Sequence, residues 1–271
     1  MCKFVYSNDL IIQPLVFGIE NRLVPYQFSI EKLSENEAFQ LLENGDAQLG
    51  IISPLEYAKS KGNMRILEDF SITSASGARN ALLFFRGNLK HITHISTTCE
   101  LKKNFDAFLG DIVLNEVFDV QAEWKIIHNN LEIQDFFKKY EIFFFAGGAA
   151  FEMYGEYENY IDLSEEWILK MNLPLVHRIV VVYESFNDQK ALESLQLSRE
   201  MGVRNLVKIA KTYANYHKHN WNLYYNLLNN NYYYYSDTLS WQSMENLLQY
   251  IFFYGRTDYY PELKFYNNKV F

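Results

Sequence analysis

The sequence contains little cysteine that could cross-link it. Cys2 and Cys99 are the 2 cysteines of a 271-residue chain. Because Cys2 stands at the start of the sequence, we expect no structural disulfide between them, and a reducing compartment, the cytoplasm, is the simplest interpretation. The stability of the fold must then come from a packed core.

Long apolar runs and an excess of basic residues are also lacking. No run approaches the roughly 18 apolar residues that a membrane-spanning helix needs, and residues 1–9 contain no apolar stretch of the length found in secretory leaders. The 25 Lys and Arg are outnumbered by 33 Asp and Glu, which gives a net charge of −8. We therefore expect neither a membrane span nor a nucleic-acid partner.

The motifs of metal and nucleotide sites are absent as well. Histidines form two close pairs, His91 with His94 and His217 with His219, but no cluster of Cys or carboxylates completes a zinc pattern around either pair. The sequence contains no Gly-x-Gly-x-x-Gly, no P-loop and no Gly-x-Ser-x-Gly motif. We predict no metal and no cofactor.

Apolar and aromatic residues, in contrast, are abundant. Hydrophobic residues make up 49% of the chain and aromatic residues 17%, with 21 Tyr and 21 Phe. Such a composition argues against disorder. A chain of this length can bury the core of one large domain or of two modest lobes.

Strand and helix signals alternate in the first third of the chain. Ser34 and Glu37 have the spacing of a capping box, and Pro54 is suited to the first turn of a helix. Strands are predicted on either side of these helix starts, at Lys3–Tyr6, 28–33 and 47–53. This β–α–β–α order is typical of a parallel or mixed sheet.

Later apolar runs extend the α/β pattern. Strands are predicted at Ala81–Phe85, 141–145 and 179–183, and the last of these is a β-branched run. From residue 190 onward the apolar spacing is helical.

Two breaks in the pattern, near 86–88 and 183–188, are interpreted as crossings between lobes. We predict that residues 1–87 and 184–271 form lobe 1 and that residues 88–183 form lobe 2. A discontinuous first lobe is typical of α/β binding proteins, which have mixed sheets and a ligand cleft between the two lobes.

Hydroxyl side chains follow or approach the predicted strands. Ser53 ends one strand, and residues 71–77 include Thr73 and Ser74 just before the strand that starts at residue 81. We interpret residues 71–77 as too polar and small for a core strand, and predict a hydroxyl-rich ligand loop. An ordinary surface loop that uses Ser in its turns is the alternative.

Three polar residues, Ser96, Thr97 and Thr98, precede the helix-like segment 100–109. Amides at a helix start point along the helix axis and could bind a carboxylate or phosphate. Plain N-capping by a threonine explains the same pattern.

Further candidates flank the buried strands. Arg79, with Asn80 beside it, is the best-placed cation for a ligand carboxylate, although a solvated arginine fits equally well. Gly147 and Gly148 follow a buried strand and would allow the backbone to approach a ligand closely. A tight turn is the alternative for the glycine pair.

Together these segments resemble the menaquinone-biosynthesis family of the futalosine route, and within it the chorismate dehydratases. The resemblance implies a fold similar to type II periplasmic binding proteins, in a cytoplasmic enzyme. The best-matched segment reads Gly45-Asp46-x-x-x-Gly50-x-Ile52-Ser53-x-x-Glu56-Tyr57-Ala58. Other matching segments lie along most of the chain and read Pro14-Leu15-x-Phe17-Gly18, Ser71-Ile72-Thr73-Ser74, Ser96-x-Thr98 and Asp162-Leu163-x-x-Glu166-Trp167.

The family's reaction removes water from chorismate to give 3-enolpyruvylbenzoate. The resemblance therefore implies a carbon–oxygen lyase with a small dicarboxylate ligand. Ser74 is the implied hydroxyl contact near the reacting ring, and Asn8 is the nearest candidate for an asparagine that the family carries before its Pro-Leu pair. No residue is an evident general base, so a carboxylate of the substrate is expected to take the proton.

Three site positions depart from the family pattern. Ile11 stands where the family carries Asn, Gly148 where it carries Asp, and Cys99 where it carries Ser. Two other hypotheses therefore stay open. One is a binding protein of the same fold that holds a small anion without catalysis. The other is 1,4-dihydroxy-6-naphthoate synthase of the same pathway, whose start resembles the segment Asn8-Asp9-Leu10.

Overall fold

The computed structural model describes residues 2–86, 92–98, 104–127, 135, 138–154, 156–157, 159–217 and 219–267. His91 and Cys99 lie outside these residues. The chain divides into two compact units. Unit 1 consists of Met1–Ser74 with Pro174–Phe271, and unit 2 consists of Ala75–Leu173.

Unit 1 contains a mixed sheet with the strand order β2-β1-β3-β10-β4. Its strands are β1 (Lys3–Tyr6), β2 (Ser29–Lys32), β3 (Leu49–Ile52), β4 (Met64–Ser74) and β10 (Leu175–Tyr183). Strand β1 runs parallel to β2 and β3, whereas β10 runs antiparallel to β3 and β4. Its helices are α1 (Gln13–Glu20), α2 (Glu35–Glu43), α3 (Pro54–Ala58), α7 (Gln189–Arg204), α8 (Leu206–Ala214), α9 (Trp221–Asn231) and α10 (Thr238–Phe253), with a 3-10 helix at Leu10–Ile12.

Unit 2 contains a second mixed sheet with the strand order β7-β6-β8-β5-β9. Its strands are β5 (Ala81–Phe85), β6 (His94–Thr97), β7 (Glu123–Ile126), β8 (Ile142–Ala146) and β9 (Tyr160–Asp162). Strand β6 runs parallel to β7 and β8, and β5 runs antiparallel to β8 and β9. The described helices of this unit are α4 (Phe105–Phe118), α5 (Gly148–Met153) and α6 (Leu163–Met171).

Each unit has its own apolar core, built where the most hydrophobic strands occupy the middle of the sheet. In unit 1, β3 is buried along its whole length and β10 along all but its last residue. Strands covered on both faces consist of near-continuous apolar runs. In unit 2, the phenylalanines of β5 and β8 pack against tyrosines around Met153. These two mixed sheets with their helices confirm the predicted α/β class.

The boundaries between the units differ from those predicted at 87/88 and 183/184. They lie at Ser74/Ala75 and at Leu173/Pro174. Strand β5 pairs with β8 and β9 of unit 2, and β10 pairs with β3 and β4 of unit 1. Strand pairing therefore decides which unit each strand joins, and the composition breaks do not mark it.

Several local predictions are confirmed. The bounds predicted for β1 and β5 match the structure. Ser34 and Glu37 form a complete capping box at the start of α2. Pro54 is the first residue of α3, whose N-cap Ser53 accepts a hydrogen bond from the amide of Glu56.

The interpretation of residues 71–77 as a loop is wrong for its first half. Residues 71–74 form the end of β4, and Ser71, Thr73 and Ser74 are buried. Hydroxyls are tolerated in this strand because they have partners. Ser236 donates to the Oγ of Ser71 over 2.8 Å, and Ser74 shares a hydrogen bond with His177. Buried polar groups with partners carry little of the usual desolvation penalty.

The first part of the helix predicted at 100–109, residues 100–103, lies outside the described residues. Helix α4 starts at Phe105, and the side chain of Asn104 caps it by accepting a hydrogen bond from the amide of Ala107. Thr97 is the last residue of β6 and is fully buried, so it does not cap this helix.

No helix in the described ranges combines the length and the apolar composition that crossing a membrane requires.

Candidate functional site

Polar residues converge on one edge of the unit 1 sheet. We call this the polar edge and define it by Asn8, Ser53, Ser74, His177 and Arg178. Strands β1, β3 and β4 end at this edge, and the antiparallel β10 begins there, with Leu175 opposite Ser74 and Ile179 opposite Ile52. Three of the predicted site residues, Asn8, Ser53 and Ser74, therefore lie along the same edge although they are far apart in sequence.

Ser74 and His177 form the innermost pair of the polar edge. The Oγ of Ser74 and the Nε2 of His177 lie 2.8 Å apart, and both residues are fully buried. The ring of Tyr232 stands edge-on to the imidazole with 5.4 Å between centroids. Burial, together with the positive charge of Arg178, lowers the pKa of His177 to about 3. The imidazole is therefore neutral at physiological pH.

Arg178 joins three segments of unit 1 through its buried guanidinium. One terminal nitrogen donates to the carbonyl of His177 over 2.8 Å. The other lies 3.6 Å from Asp9 Oδ2 and 3.5 Å from Glu35 Oε2. The second oxygen of Glu35 accepts the amide of Ser53 at 2.9 Å. The loop after β1, the start of α2 and the end of β3 are thus connected by one charged network.

The remaining predicted residues of unit 1 have different surroundings. Thr73 is buried, and its backbone pairs in both directions with Tyr233, at 3.0 and 2.9 Å. Asn8 is exposed, with its Oδ1 3.5 Å from the amine of Lys32. Ile11 is buried within the 3-10 helix. Asn8 therefore offers a polar side chain to a ligand, whereas Ile11, at the position of the family's asparagine, does not.

In unit 2, Arg79 is neutralised by the protein's own carboxylates. One of its terminal nitrogens donates to Asp162 over 2.9 Å and to Glu165 over 3.1 Å. Its guanidinium lies over the rings of Tyr154 and Tyr160, at 5.4 and 5.8 Å from their centroids. The structure places Arg79 in a structural ion pair, which leaves its charge largely compensated for any ligand.

Asp162 explains why Arg79 is held in this way. Its carboxylate is inaccessible to solvent and also accepts the amides of Arg79 and Ser164, the latter at the first turn of α6. Burial raises the pKa of the Asp162 carboxyl, while hydrogen bonds from Ser164 and the charge of Arg79 act in the opposite direction. Arg79 itself adopts a positive φ of 61°, a conformation that few non-glycine residues take.

Asn80 and the glycine pair belong to the same end of the unit 2 sheet. The Nδ2 of Asn80 donates to Asp106 over 3.1 Å, and its carbonyl accepts the amide of Gly147 over 2.7 Å. Gly147 has φ 58° and ψ −133°, a region open essentially to glycine alone. Gly148 is the first residue of α5. The turn conformation accounts for Gly147 without a ligand.

The three polar residues around the end of β6 have different surroundings. Ser96 lines a cavity of about 730 Å³ in unit 2 that Arg86 and Lys125 also line. Thr97 is fully buried, and Thr98 is exposed just after the strand. Residues 99–103 lie outside the described residues, so an anion site formed by Ser96 and Thr98 at a helix start stays a prediction.

His177, Arg178, Asp9 and Glu35 are the polar-edge residues and partners that the sequence prediction missed. The available signal was the pair His177-Arg178 within an otherwise apolar strand, since ionisable residues in a buried strand need partners. The predicted strand began at residue 179, after this pair, so the signal was lost.

No group of three or more His, Cys, Asp or Glu side chains in the described part of the chain could hold a metal ion.

Comparison with solved structures identifies the fold. A protein from Archaeoglobus fulgidus matches with a TM-score of 0.74 at 13% identity, covering 94% of this chain and 98% of the other. The alkanesulfonate-binding protein of Xanthomonas axonopodis pv. citri, solved with MOPS, matches with a TM-score of 0.68 at 10% identity, covering 97% and 96%. A Candida albicans protein with the generic periplasmic binding protein fold gives 0.59 at 10%, covering 99% of both chains.

These similarities show that the chain has the periplasmic-binding-protein fold, as the resemblance implied. At such low identities they show the fold alone. No curated protein matches the sequence. A family model described as menaquinone biosynthesis matches residues 4–250. Since this match spans nearly the whole chain, the protein belongs to the menaquinone biosynthesis family.

Proposed function

We propose that the protein is a carbon–oxygen lyase of the chorismate dehydratase type, which converts chorismate to 3-enolpyruvylbenzoate. The observation that supports the proposal is the placement of Asn8, Ser53 and Ser74 along one edge of the unit 1 sheet. Ser53 and Ser74 lie in segments that resemble the family, and Asn8 is the nearest candidate for the family's asparagine, although about 20 to 45 positions separate each of the three from the next. Membership of the menaquinone biosynthesis family supports the same assignment.

The reaction needs a proton removed from the ring and a hydroxyl group released, which together leave as one water molecule. Ser74 is proposed to hydrogen-bond the departing hydroxyl, and Asn8 to orient the ring. A carboxylate of the substrate takes the ring proton. Positioning of a substrate that carries its own base can supply much of the rate.

A dicarboxylate also needs cationic or amide partners. Arg178 is the buried cation of the polar edge, and a substrate carboxylate would compete for it with Asp9 and Glu35. Roles for Thr98, Gly147 and Gly148 in binding stay predictions. Arg79 is a weaker candidate because Asp162 and Glu165 already compensate its charge.

The decisive experiment incubates the purified protein with chorismate and follows the aromatic product by absorbance. Ser74→Ala should abolish most of the activity. Ser243→Ala is the matched control, since Ser243 is a buried serine of α10 whose hydroxyl makes no hydrogen bond within the described residues. If the wild-type protein neither consumes chorismate nor binds it in calorimetry, the proposal fails.

A binding protein without catalysis is the second candidate. Its specific support is Ile11, which is buried where the family resemblance implies an asparagine. Such a protein would retain a different small anion. Native mass spectrometry of the protein purified under gentle conditions would detect that anion, and a ligand unrelated to chorismate would favour this candidate.

A further inference from the structure

We propose that His177 is a positioning residue for Ser74, and that its Nε2–H donates to the Oγ of Ser74 so that the serine hydroxyl donates to the ligand. The inference rests on the proposed function for the identity of the ligand. The geometry that carries it lies wholly within unit 1.

The pair has the distance and burial of a fixed hydrogen bond. Ser74 Oγ and His177 Nε2 are 2.8 Å apart, and both residues are buried. Strand pairing places the two residues on adjacent strands, with Leu175 directly opposite Ser74. The Tyr232 ring, edge-on at 5.4 Å, restricts rotation of the imidazole.

A hydroxyl has one proton, so the direction of this bond decides what Ser74 offers to a ligand. A neutral imidazole carries its proton on one nitrogen and accepts at the other. If Nε2 is unprotonated, Ser74 donates to it and can only accept elsewhere. If Nε2 carries the proton, it donates to Oγ, and the hydroxyl proton of Ser74 is available to another acceptor.

The elimination selects the second arrangement. The departing oxygen gains negative charge as its bond to carbon breaks, and a donor directed at it stabilises that charge. The proton from the ring carbon goes to a substrate carboxylate and then to the departing hydroxide, which leaves as water. Ser74 supplies a hydrogen bond and undergoes no net proton transfer. His177 stays neutral throughout, in keeping with its burial beside Arg178.

The tautomer can be read directly by NMR of protein with ¹⁵N-labelled histidine. Protonated and unprotonated ring nitrogens differ widely in ¹⁵N shift, and His177→Gln identifies the signal. We expect a neutral ring with the proton on Nε2, and a change of the Nε2 signal in Ser74→Ala. A proton on Nδ1 instead, or a signal that Ser74→Ala leaves unchanged, would overturn the proposal.

Kinetics test the consequence. Loss of a partner that orients a metal ligand typically lowers activity roughly 10- to 100-fold, and we take the same scale for a partner that orients a serine. We expect His177→Phe to lower kcat by such a factor with little change in KM, and His177→Gln, whose amide can still donate, to restore much of it. Val181→Ala, a cavity variant on the same buried strand, should leave kcat near that of wild type. Equal kcat values for His177→Phe and wild type would contradict the positioning role.

The two experiments separate the two proposals. If wild-type protein does not turn over chorismate, the proposed function fails, while the NMR result still decides the direction of the hydrogen bond. If chorismate is consumed but His177→Phe is fully active, the function stands and the role of His177 is wrong.

Discussion

His177 couples the stability of the protein to pH, because burial removes its basicity in the folded state only. Its pKa is about 3 in the folded protein and near 6.5 in an unfolded chain. Above pH 6.5 the ring is neutral in both states, so its contribution to stability is fully present. As the pH falls toward 3, the unfolded chain binds a proton that the folded protein does not, and this contribution is lost.

We therefore expect wild type to lose a few kcal/mol relative to His177→Gln between pH 6.5 and pH 4, since one unit of pKa difference is worth about 1.4 kcal/mol. Urea unfolding at several pH values measures the difference. Gln does not titrate, and all other titratable groups are the same in the two proteins. The difference in unfolding free energy between them therefore reports the titration of His177 alone. A difference between the two proteins that is constant with pH would show that His177 titrates normally in the fold.

Asp162 and Glu165 both pair with Arg79, yet they should differ greatly in their effect on stability. The Asp162 carboxylate is fully buried, whereas the side chain of Glu165 is 49% exposed. Removing one partner of a buried pair is strongly destabilising, whereas exposed pairs contribute little. We expect Asp162→Asn to lower the free energy of unfolding by about 2–4 kcal/mol, and Glu165→Gln by at most about 1 kcal/mol.

Thermal and urea unfolding of the two variants, compared under identical conditions, test this pair. Both substitutions replace a carboxylate by an amide of nearly equal size, so the contrast isolates burial. Similar losses for both variants would mean that the buried pair between Asp162 and Arg79 stabilises the fold no more than the exposed pair between Glu165 and Arg79.

At the scale of secondary-structure elements, local signals were predictable and burial of polar residues was not. The Ser34–Glu37 capping box and Pro54 were readable because their chemistry lies within a few residues. The end of β4 was mistaken for a loop because its hydroxyls find partners at Ser236 and His177, far away in sequence. The same distance hid the polar edge, since strand order alone brings β10 beside β3 and β4.

Helices α1 and α7 pack so closely that one methyl group added at their contact should force them apart. A Cβ added at Gly202 would lie 1.9 Å from the carbonyl oxygen of Pro14 and 2.8 Å from its Cα, and backbone cannot yield as a side chain does. We expect Gly202→Ala to destabilise the protein by about 3 kcal/mol, at the upper end of overpacking effects.

Gly110→Ala in α4 provides the matched control. Its added Cβ would meet the ends of the Leu163 and Trp124 side chains at 2.9 Å, and alanine gains up to about 1 kcal/mol of helix propensity. We expect a clearly smaller loss than at Gly202, measured as the urea midpoint at unchanged slope. Equal losses at the two glycines would indicate that α1 can shift to make room.

At the scale of the whole molecule, the sequence predicted the α/β class, the family and a discontinuous first unit, because these follow from apolar runs and motifs. It misplaced both unit boundaries. The composition break near residue 184 is an ordinary turn, and residues 87–91 lie outside the described residues. The actual boundaries follow the hydrogen bonding of β5 and β10. The site residues assigned in unit 2 were least predictable, since Arg79 and Asn80 have protein partners that no local pattern reveals.

Two units with separate sheets and separate cores should also unfold as two transitions. Each unit holds two of the 4 tryptophans, Trp221 and Trp241 in unit 1 and Trp124 and Trp167 in unit 2. A protein in which Trp221 and Trp241 are replaced by Phe reports unit 2 by fluorescence, and the reciprocal variant reports unit 1. We expect the two urea curves to have different midpoints, with the steeper slope for the larger unit 1, because the slope scales with the surface exposed on unfolding.

Adding Gly202→Ala should then shift the unit 1 curve far more than the unit 2 curve. Coincident curves that shift together would show that the molecule unfolds as a single cooperative body despite its two sheets.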